Sequence, residues 1–393
     1  MRLITMSRRA VTAAVAATCV VSAVATSAAT AETLHTAQSA AASTTTVPEA
    51  DSSTCDDVLF VGARGSGEKG PGDEGWEPTD ADPYGLGGTV NSAYQRLAKD
   101  LGGHRTVQVV SVPYPANSVL TLLHAPNQYF TNLTEGVNWT LGELEGQATA
   151  CPAQQIVLAG FSQGAMVMHR VLHDLGTTAA RRTILSRVAA AILVGDGDEI
   201  PYDYQTRYGS AALNARGIGQ AMRDISNSSP AQFTASLTAR VLSVCNNHDI
   251  VCGWTDFNLA CLDKPTDCVI STAIMVKIHL SYAGSEPLLA AADRAATLVR
   301  EMPAPRPVNI AAYEDVPVSY RLATDIASGF TLQWRVAPGG TLPPGLSLNG
   351  NGQITGVPET TGNYETTVQV RSVRAYLDSP WLPAAVSFDV ELG

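Results

Sequence analysis

Short apolar runs recur through residues 55–302, separated by longer stretches whose apolar positions return every three or four residues. The runs are Val58–Val61, Val107–Val112, Ile156–Ala159, Val188–Val194 and Val241–Val244. They are rich in β-branched side chains and apolar nearly throughout, with no period-two alternation. Strands of that kind are covered on both faces, as in a parallel sheet between helices. The helix-like stretches are Thr89–Leu101, Asn127–Ala150, Gln163–Leu175 and Ser285–Met302. In the third, Met168, Val171, Leu172 and Leu175 fall on one stripe, and Gly176 supplies a stop. The alternation predicts a doubly wound α/β domain with about five parallel strands.

The pattern changes at "PAPRP" (303–307), where three prolines end the last helix and predict a stiff linker. Beyond it the period becomes two. Tyr364, Thr366, Val368 and Val370 alternate with polar positions, as do Val386, Phe388, Val390 and Leu392. Turn clusters "PGGTLPPG" and "NGNG" punctuate the run, so residues 308–393 read as a small antiparallel β-sandwich. Trp334 and Trp381 are candidates to stack on a sugar or polymer, with core packing as the plainer role.

The N-terminus reads as a processing segment. Arg2, Arg8 and Arg9 precede an Ala-rich apolar run, and "ATA" at 29–31 fits a cleavage site. Residues 1–31 are therefore expected to be a signal peptide, with a twin-arginine hint in Arg8–Arg9. Residues 32–54 are Ala/Ser/Thr-rich and expected to be a flexible leader. Loss of the segment carrying those three arginines takes the formal charge from the −11 of the precursor to −14. So acidic a chain argues against nucleic acid and anionic lipid as partners. A soluble, extracellular monomer is expected, with no stable membrane anchor; the β-sandwich is free to contact a polymer or cell surface.

Of seven cysteines, Cys19 leaves with the signal. Cys55, Cys151, Cys245, Cys252, Cys261 and Cys268 remain, an even set that reads as three disulfides in an exported chain. The spacing Cys-x6-Cys, found twice, is not that of zinc ligands, so no metal or other cofactor is expected.

The chemistry concentrates in "LAGFSQGAM" (158–166). Gly160-Phe161-Ser162-Gln163-Gly164 lies between a strand and a helix, the context of a nucleophile elbow. A serine hydroxyl is a weak nucleophile and needs a base, an acid that orients the base, and donors for an oxyanion. In this fold the chain order is serine, acid, histidine. His279 is the histidine that follows an acid candidate at a distance a loop can close. Asp249 lies in "CNNHDIVC" (245–252), after the last predicted strand, where a Cys245–Cys252 bridge would hold it in a small ring. Asp196, with Asp198 in "GDGDE" (195–199), is the competing acid; a solvated turn or weak cation site is the blander reading of that segment. Ser66, in the loop "GARGSGE" (62–68), and the N–H of Gln163 are the oxyanion-donor candidates.

These pieces together resemble the cutinase family, also carbohydrate esterase family 5. "CDDVLFVGARGSGE", "VPYPA" (112–116), "GFSQGA", then C-x3-D-x2-C and H-x2-Y occur in order over about Cys55–Met302. The resemblance implies an α/β-hydrolase-like catalytic domain, Ser162 as nucleophile, Asp249 as acid, His279 as base, and Ser66 with Gln163 as the oxyanion hole. It also implies a Cys55–Cys151 bridge. The 30-residue span from Asp249 to His279 is longer than in compact members and contains "GWTDFNLACLDKPTDC", expected to be closed by Cys261–Cys268. The tail, through "LPPGLSLNGNGQITGVPETTGNYETTVQV", resembles a bacterial Ig-like module. The expected activity is hydrolysis of carboxylic esters, cutin-like polyester or short- and medium-chain acyl esters, through an acyl-enzyme on Ser162. Acetylxylan esterase is the alternative within the enzyme class, and a non-catalytic surface-binding or adhesion protein the alternative outside it.

Overall fold

The computed structural model describes residues 55–203, 205–255, 272–373 and 379–393. The expected signal peptide and leader, and the expected Cys261–Cys268 pair, lie outside them. In chain order the first unit contains β1 (Val58–Ala63), α1 (Gly88–Leu101), β2 (Val107–Ser111), α2 (Val119–His124) and α3 (Pro126–Ala150). Next come β3 (Gln155–Phe161), α4 (Gln163–Leu175), α5 (Ala179–Arg187), β4 (Val188–Val194) and β5 (Thr206–Tyr208). The unit closes with β6 (Val241–Val244), α6 (Thr272–His279) and α7 (Glu286–Arg300).

Six parallel strands form one sheet in the order β2-β1-β3-β4-β6-β5. The five predicted strands are present; β5 is an addition at the edge. Successive residues of a strand point to opposite faces, and both faces are filled. Leu59, Val61, Ile156, Leu158, Ala191 and Leu193 pack with α3 and α4 on one side. Val58, Phe60, Val157, Ala159, Ile192 and Val194 pack with α1 and α7 on the other. The strand order reverses direction at β1 and β3, so the crevice at their carboxyl ends is where an open α/β sheet presents a site.

The second unit is a two-sheet sandwich. One sheet has the order β11 (Thr331–Val336), β14 (Gly362–Val373), β15 (Leu382–Glu391) and β8 (Val308–Tyr313). The other has the order β12 (Leu346–Leu348), β13 (Gln353–Gly356) and β9 (Val318–Arg321). The alternation read from the sequence matches the buried face: Thr366, Val368, Val370, Val386, Phe388 and Val390 point inward. Leu392 is 79% exposed because β15 ends one residue before it. The β8–β15 pair is parallel, a departure from a purely antiparallel sandwich.

The segment expected as a linker is docked. Ala304–Pro305 form β7, paired with β10 (Thr324–Asp325), and Met302 through Pro305 are buried. Prolines lack an N–H, but carbonyls here remain usable acceptors: Gln155 Nε2 donates to the carbonyls of Met302 (3.3 Å) and Pro303 (3.2 Å). The buried Arg105 guanidinium pairs with the Asp325 carboxylate and donates to the Asp325 (2.8 Å) and Met302 (3.2 Å) carbonyls. Arg306 reaches Asp57 at 2.8 Å, and Leu382 of β15 joins the core beneath α7. Asp57, Arg105 and Gln155 all stand at the amino ends of β1, β2 and β3, the end of the sheet remote from the crevice.

Candidate active site

β3 leads directly into α4 through Ser162, whose backbone takes φ 55° and ψ −116°. A non-glycine residue held there stores about 1–3 kcal/mol of strain. The turn is held by the Ser162 N–H donating to the Val194 carbonyl at 2.8 Å. It also requires its glycines. A Cβ on Gly160 would lie 2.2 Å from the Gly164 carbonyl oxygen, and one on Gly164 would lie 2.1 Å from that of Ala63. Small residues at both positions let strand, turn and helix close on one another with the hydroxyl at the rim.

The hydroxyl of Ser162 donates to His279 Nε2 at 2.9 Å. On the far side of the ring, His279 Nδ1 lies 2.9 Å from Asp249 Oδ2 and 3.1 Å from Oδ1. The three side chains come from the end of β3, the loop after β6 and the end of α6. They span 117 residues of chain between Ser162 and His279. Phe161 stacks on the imidazole at 5.0 Å between ring centroids and limits its tilt.

Asp249 is fully buried inside the ring closed by Cys245–Cys252. Oδ1 accepts from Val251 N at 2.6 Å and Cys252 N at 3.0 Å; Oδ2 also accepts from the Tyr282 hydroxyl at 2.8 Å. Burial opposes ionisation of this carboxyl. The charge and hydrogen bond of His279, with the two backbone donors, outweigh it and hold Asp249 below the usual carboxylate range. A buried carboxylate beside Nδ1 fixes the tautomer that leaves Nε2 free to accept the serine proton.

Ser66 and the N-terminal end of α4 flank the same rim. Ser66 Oγ donates to Gln163 Oε1 at 3.3 Å and accepts from the Tyr129 hydroxyl at 2.9 Å. Burial pushes the Tyr129 phenol up to about 12, so it remains a donor at neutral pH. The Ser66 loop is stapled by Arg64, which is wholly buried and donates to the carbonyls of Glu68, Val112 and Tyr114. Glu68 returns the clamp by accepting from Gly65 N at 2.6 Å and Gly88 N at 3.0 Å. As the first residue of α4, Gln163 has an N–H with no intrahelical acceptor, at the helix's positive end.

The competing acid has another partner. Asp196 is buried and lies 2.6 Å from His169 Nδ1, while Asp198 pairs with Arg170 at 2.8 Å and accepts from Ser228. Burial disfavours a charged His169, and the Asp196 carboxylate more than offsets it. "GDGDE" is therefore a dry anchor between β4 and the helix that carries the elbow rather than a solvated turn. No group of residues fit to hold a metal ion occurs among the described residues. His248 stands apart from the imidazole site, its ring beside the Asn247 amide. Trp334 is a core residue, and Trp381 is covered by the guanidinium groups of Arg335 (4.1 Å) and Arg371 (4.7 Å). Tyr129 and Tyr282 were not singled out as site residues from sequence; the second stands in the H-x2-Y pattern, which was the available signal.

Fold and site define a class: a doubly wound α/β scaffold with a serine elbow and a Ser–His–Asp array at its carboxyl edge. Within that class the chain belongs to the cutinase family, whose model matches residues 54–264, and a "Putative Ig domain" model matches residues 301–380. A cutinase of Hypocrea jecorina is 28% identical over 222 residues, 56% of this chain and 66% of its own length. Carboxylesterase Culp1 of Mycobacterium tuberculosis is 28% identical over 142 residues, 36% of this chain and 52% of its own. The chain thus spans between about half and just under two thirds of these relatives' own length. A solved cutinase-like protein from Cryptococcus sp. aligns at a TM-score of 0.42 with 18% identity, over 62% of this chain and 95% of its own. The family match ends before His279, which the structure nonetheless brings to Ser162.

Proposed function

We propose that the protein is an exported serine hydrolase of carboxylic esters. Ser162 attacks the ester carbonyl, His279 takes the hydroxyl proton and returns it to the leaving alcohol, and Asp249 steadies the imidazolium. Ser66 and the Gln163 N–H receive the oxyanion. Water then attacks the acyl-enzyme with His279 as base, releasing the acid and restoring Ser162. The observation that carries this reading is the continuous chain of contacts from Ser162 Oγ to His279 to Asp249, at 2.9 Å each. The names of the relatives, a cutinase and a carboxylesterase, agree with ester substrates. Polyesters of the cutin type and short- to medium-chain acyl esters are the first substrates to test. Export accords with two disulfides, which suit an oxidising compartment; among the described residues no helix is long and apolar enough to cross a membrane.

The test is Ser162→Ala on a panel of p-nitrophenyl esters of graded acyl length. Hydrolysis should fall by about 10⁴-fold or more while thermal unfolding stays cooperative. A variant with near wild-type turnover refutes the assignment. Activity of the wild type confined to acetyl esters would move the substrate class to acetylated polysaccharide.

A further inference from the structure

The hydrogen bonds around Asp249 divide unevenly between its two oxygens. Oδ1 is held by Val251 N and Cys252 N, donors from its own turn, and lies 3.1 Å from His279 Nδ1. Oδ2 is the oxygen nearer His279 Nδ1, at 2.9 Å, and its other side-chain donor is the Tyr282 hydroxyl at 2.8 Å. We propose that Tyr282 is a positioning residue for the acid, its hydroxyl fixing the carboxylate oxygen against which His279 is aligned. This inference rests on the catalytic reading of Ser162, His279 and Asp249.

Three observations support it. The Tyr282 oxygen accepts the Asn246 N–H at 2.9 Å, which occupies a lone pair and directs the hydroxyl proton to Asp249. The same oxygen lies 3.7 Å from Cys252 Sγ, so one hydroxyl touches the start, middle and end of the ring that contains the acid. The ring of Tyr282 is wholly buried with Leu242, Val244 and Leu288, which leaves the hydroxyl no alternative partner in solvent. Tyr282 also follows His279 by three residues, so base and clamp reach the carboxylate from one segment. Burial, then the Asp249 charge, push the phenol well above its ordinary range, and it stays a protonated donor.

A donor on Oδ2 also disperses the carboxylate charge. Without it, Asp249 draws a proton to the imidazole more strongly, because the same negative charge faces His279 with one fewer competitor. The titratable groups bearing on this cluster are Asp249, His279 and, more distantly, Glu199; His248 precedes the acid but bonds to Asn247. Glu199 and His248 are untouched by a change at Tyr282.

The experiment compares wild type, Ser162→Ala and Tyr282→Phe on one p-nitrophenyl ester across pH. Tyr282→Phe should lower kcat about 10-fold with KM within about twofold. It should also move the acidic limb of kcat/KM upward by about half a pH unit. Site-specific 3-fluorotyrosine at 282 keeps the shape and strengthens the donor, so its acidic limb should move downward; it carries the test alone if Tyr282→Phe does not fold. Both proteins titrating as wild type, with Ser162→Ala inactive, would overturn the positioning role and leave the catalytic reading standing. An active Ser162→Ala protein would remove both.

Discussion

The two disulfides make opposite predictions for stability and for turnover. Cys245 and Cys252 are 7 residues apart and enclose Asp249; Cys55 and Cys151 are 96 apart and tie the entry of β1 to the entry of β3. In the chain-entropy model the small ring contributes about 2.5 kcal/mol and the large one about 4.7 kcal/mol. The catalytic effect should run the other way. Opening the small ring releases the loop that aims the carboxylate, and a misplacement near 1 Å costs about 100-fold in rate. The large ring closes at the amino ends of the strands, across the sheet from Ser162. Cys245→Ala/Cys252→Ala should therefore unfold at lower urea, by about 1 M, yet lose about 10- to 100-fold in kcat while fully folded. Cys55→Ala/Cys151→Ala should lose roughly twice the stability and keep kcat within about twofold of wild type. The assay is ester hydrolysis at low temperature, with urea titration followed by circular dichroism to fix the folded fraction. Two variants whose activity loss simply follows their stability loss would refute the argument, and so would a small-ring variant with unchanged kcat.

Two further outcomes follow from buried charges away from the site. Glu199 is fully buried, and that burial, partly countered by Arg207, raises its carboxyl from 4.5 to about 7. A raised carboxyl binds its proton more tightly in the folded state, so its stabilisation is complete below pH 4.5 and is lost as pH rises through about 7. The span is worth about 3 kcal/mol; Glu199→Gln should flatten the stability profile across it in urea titrations, and an unchanged slope would sink the attribution. Arg105→Met removes the guanidinium shared by Asp325 and the Met302 and Asp325 carbonyls. About 1–3 kcal/mol of inter-unit stability should go, and calorimetry should resolve the sandwich as an earlier, separate transition with kcat unchanged; a single unshifted transition would show that the interface does not depend on this residue.

Strands buried on both faces and an amphipathic elbow helix carry strong local signals, which is why β1, β3, β4, β6 and α4 were legible; β2, a half-buried edge strand, was legible from its run of valines. β5 is a three-residue edge strand with an exposed Thr206 and a central Arg207, and no run of that length carries a signal. Chain order together with the reach of a loop singled out His279, and Asp249 was favoured by its ring. What remained hidden depends on side chains meeting from distant segments. Tyr129 stands mid-domain on α3, among residues whose period speaks only of packing. The His169–Asp196 pair joins a helix face to a loop 27 residues on. The linker reading failed to anticipate docking because proline content reports missing donors and says nothing of carbonyls that a neighbour such as Gln155 can use.

The placement of the sandwich has a directional consequence. Strands of six or seven residues set the two ends of the sheet roughly 20 Å apart, with Ser162 at one pole and Asp57, Arg105 and Gln155 at the other. A polymer surface held by the sandwich would meet the α/β unit from the amino-end side of its sheet, with Ser162 at the opposite pole. Such a grip would hold the mouth open toward material arriving from the surrounding fluid.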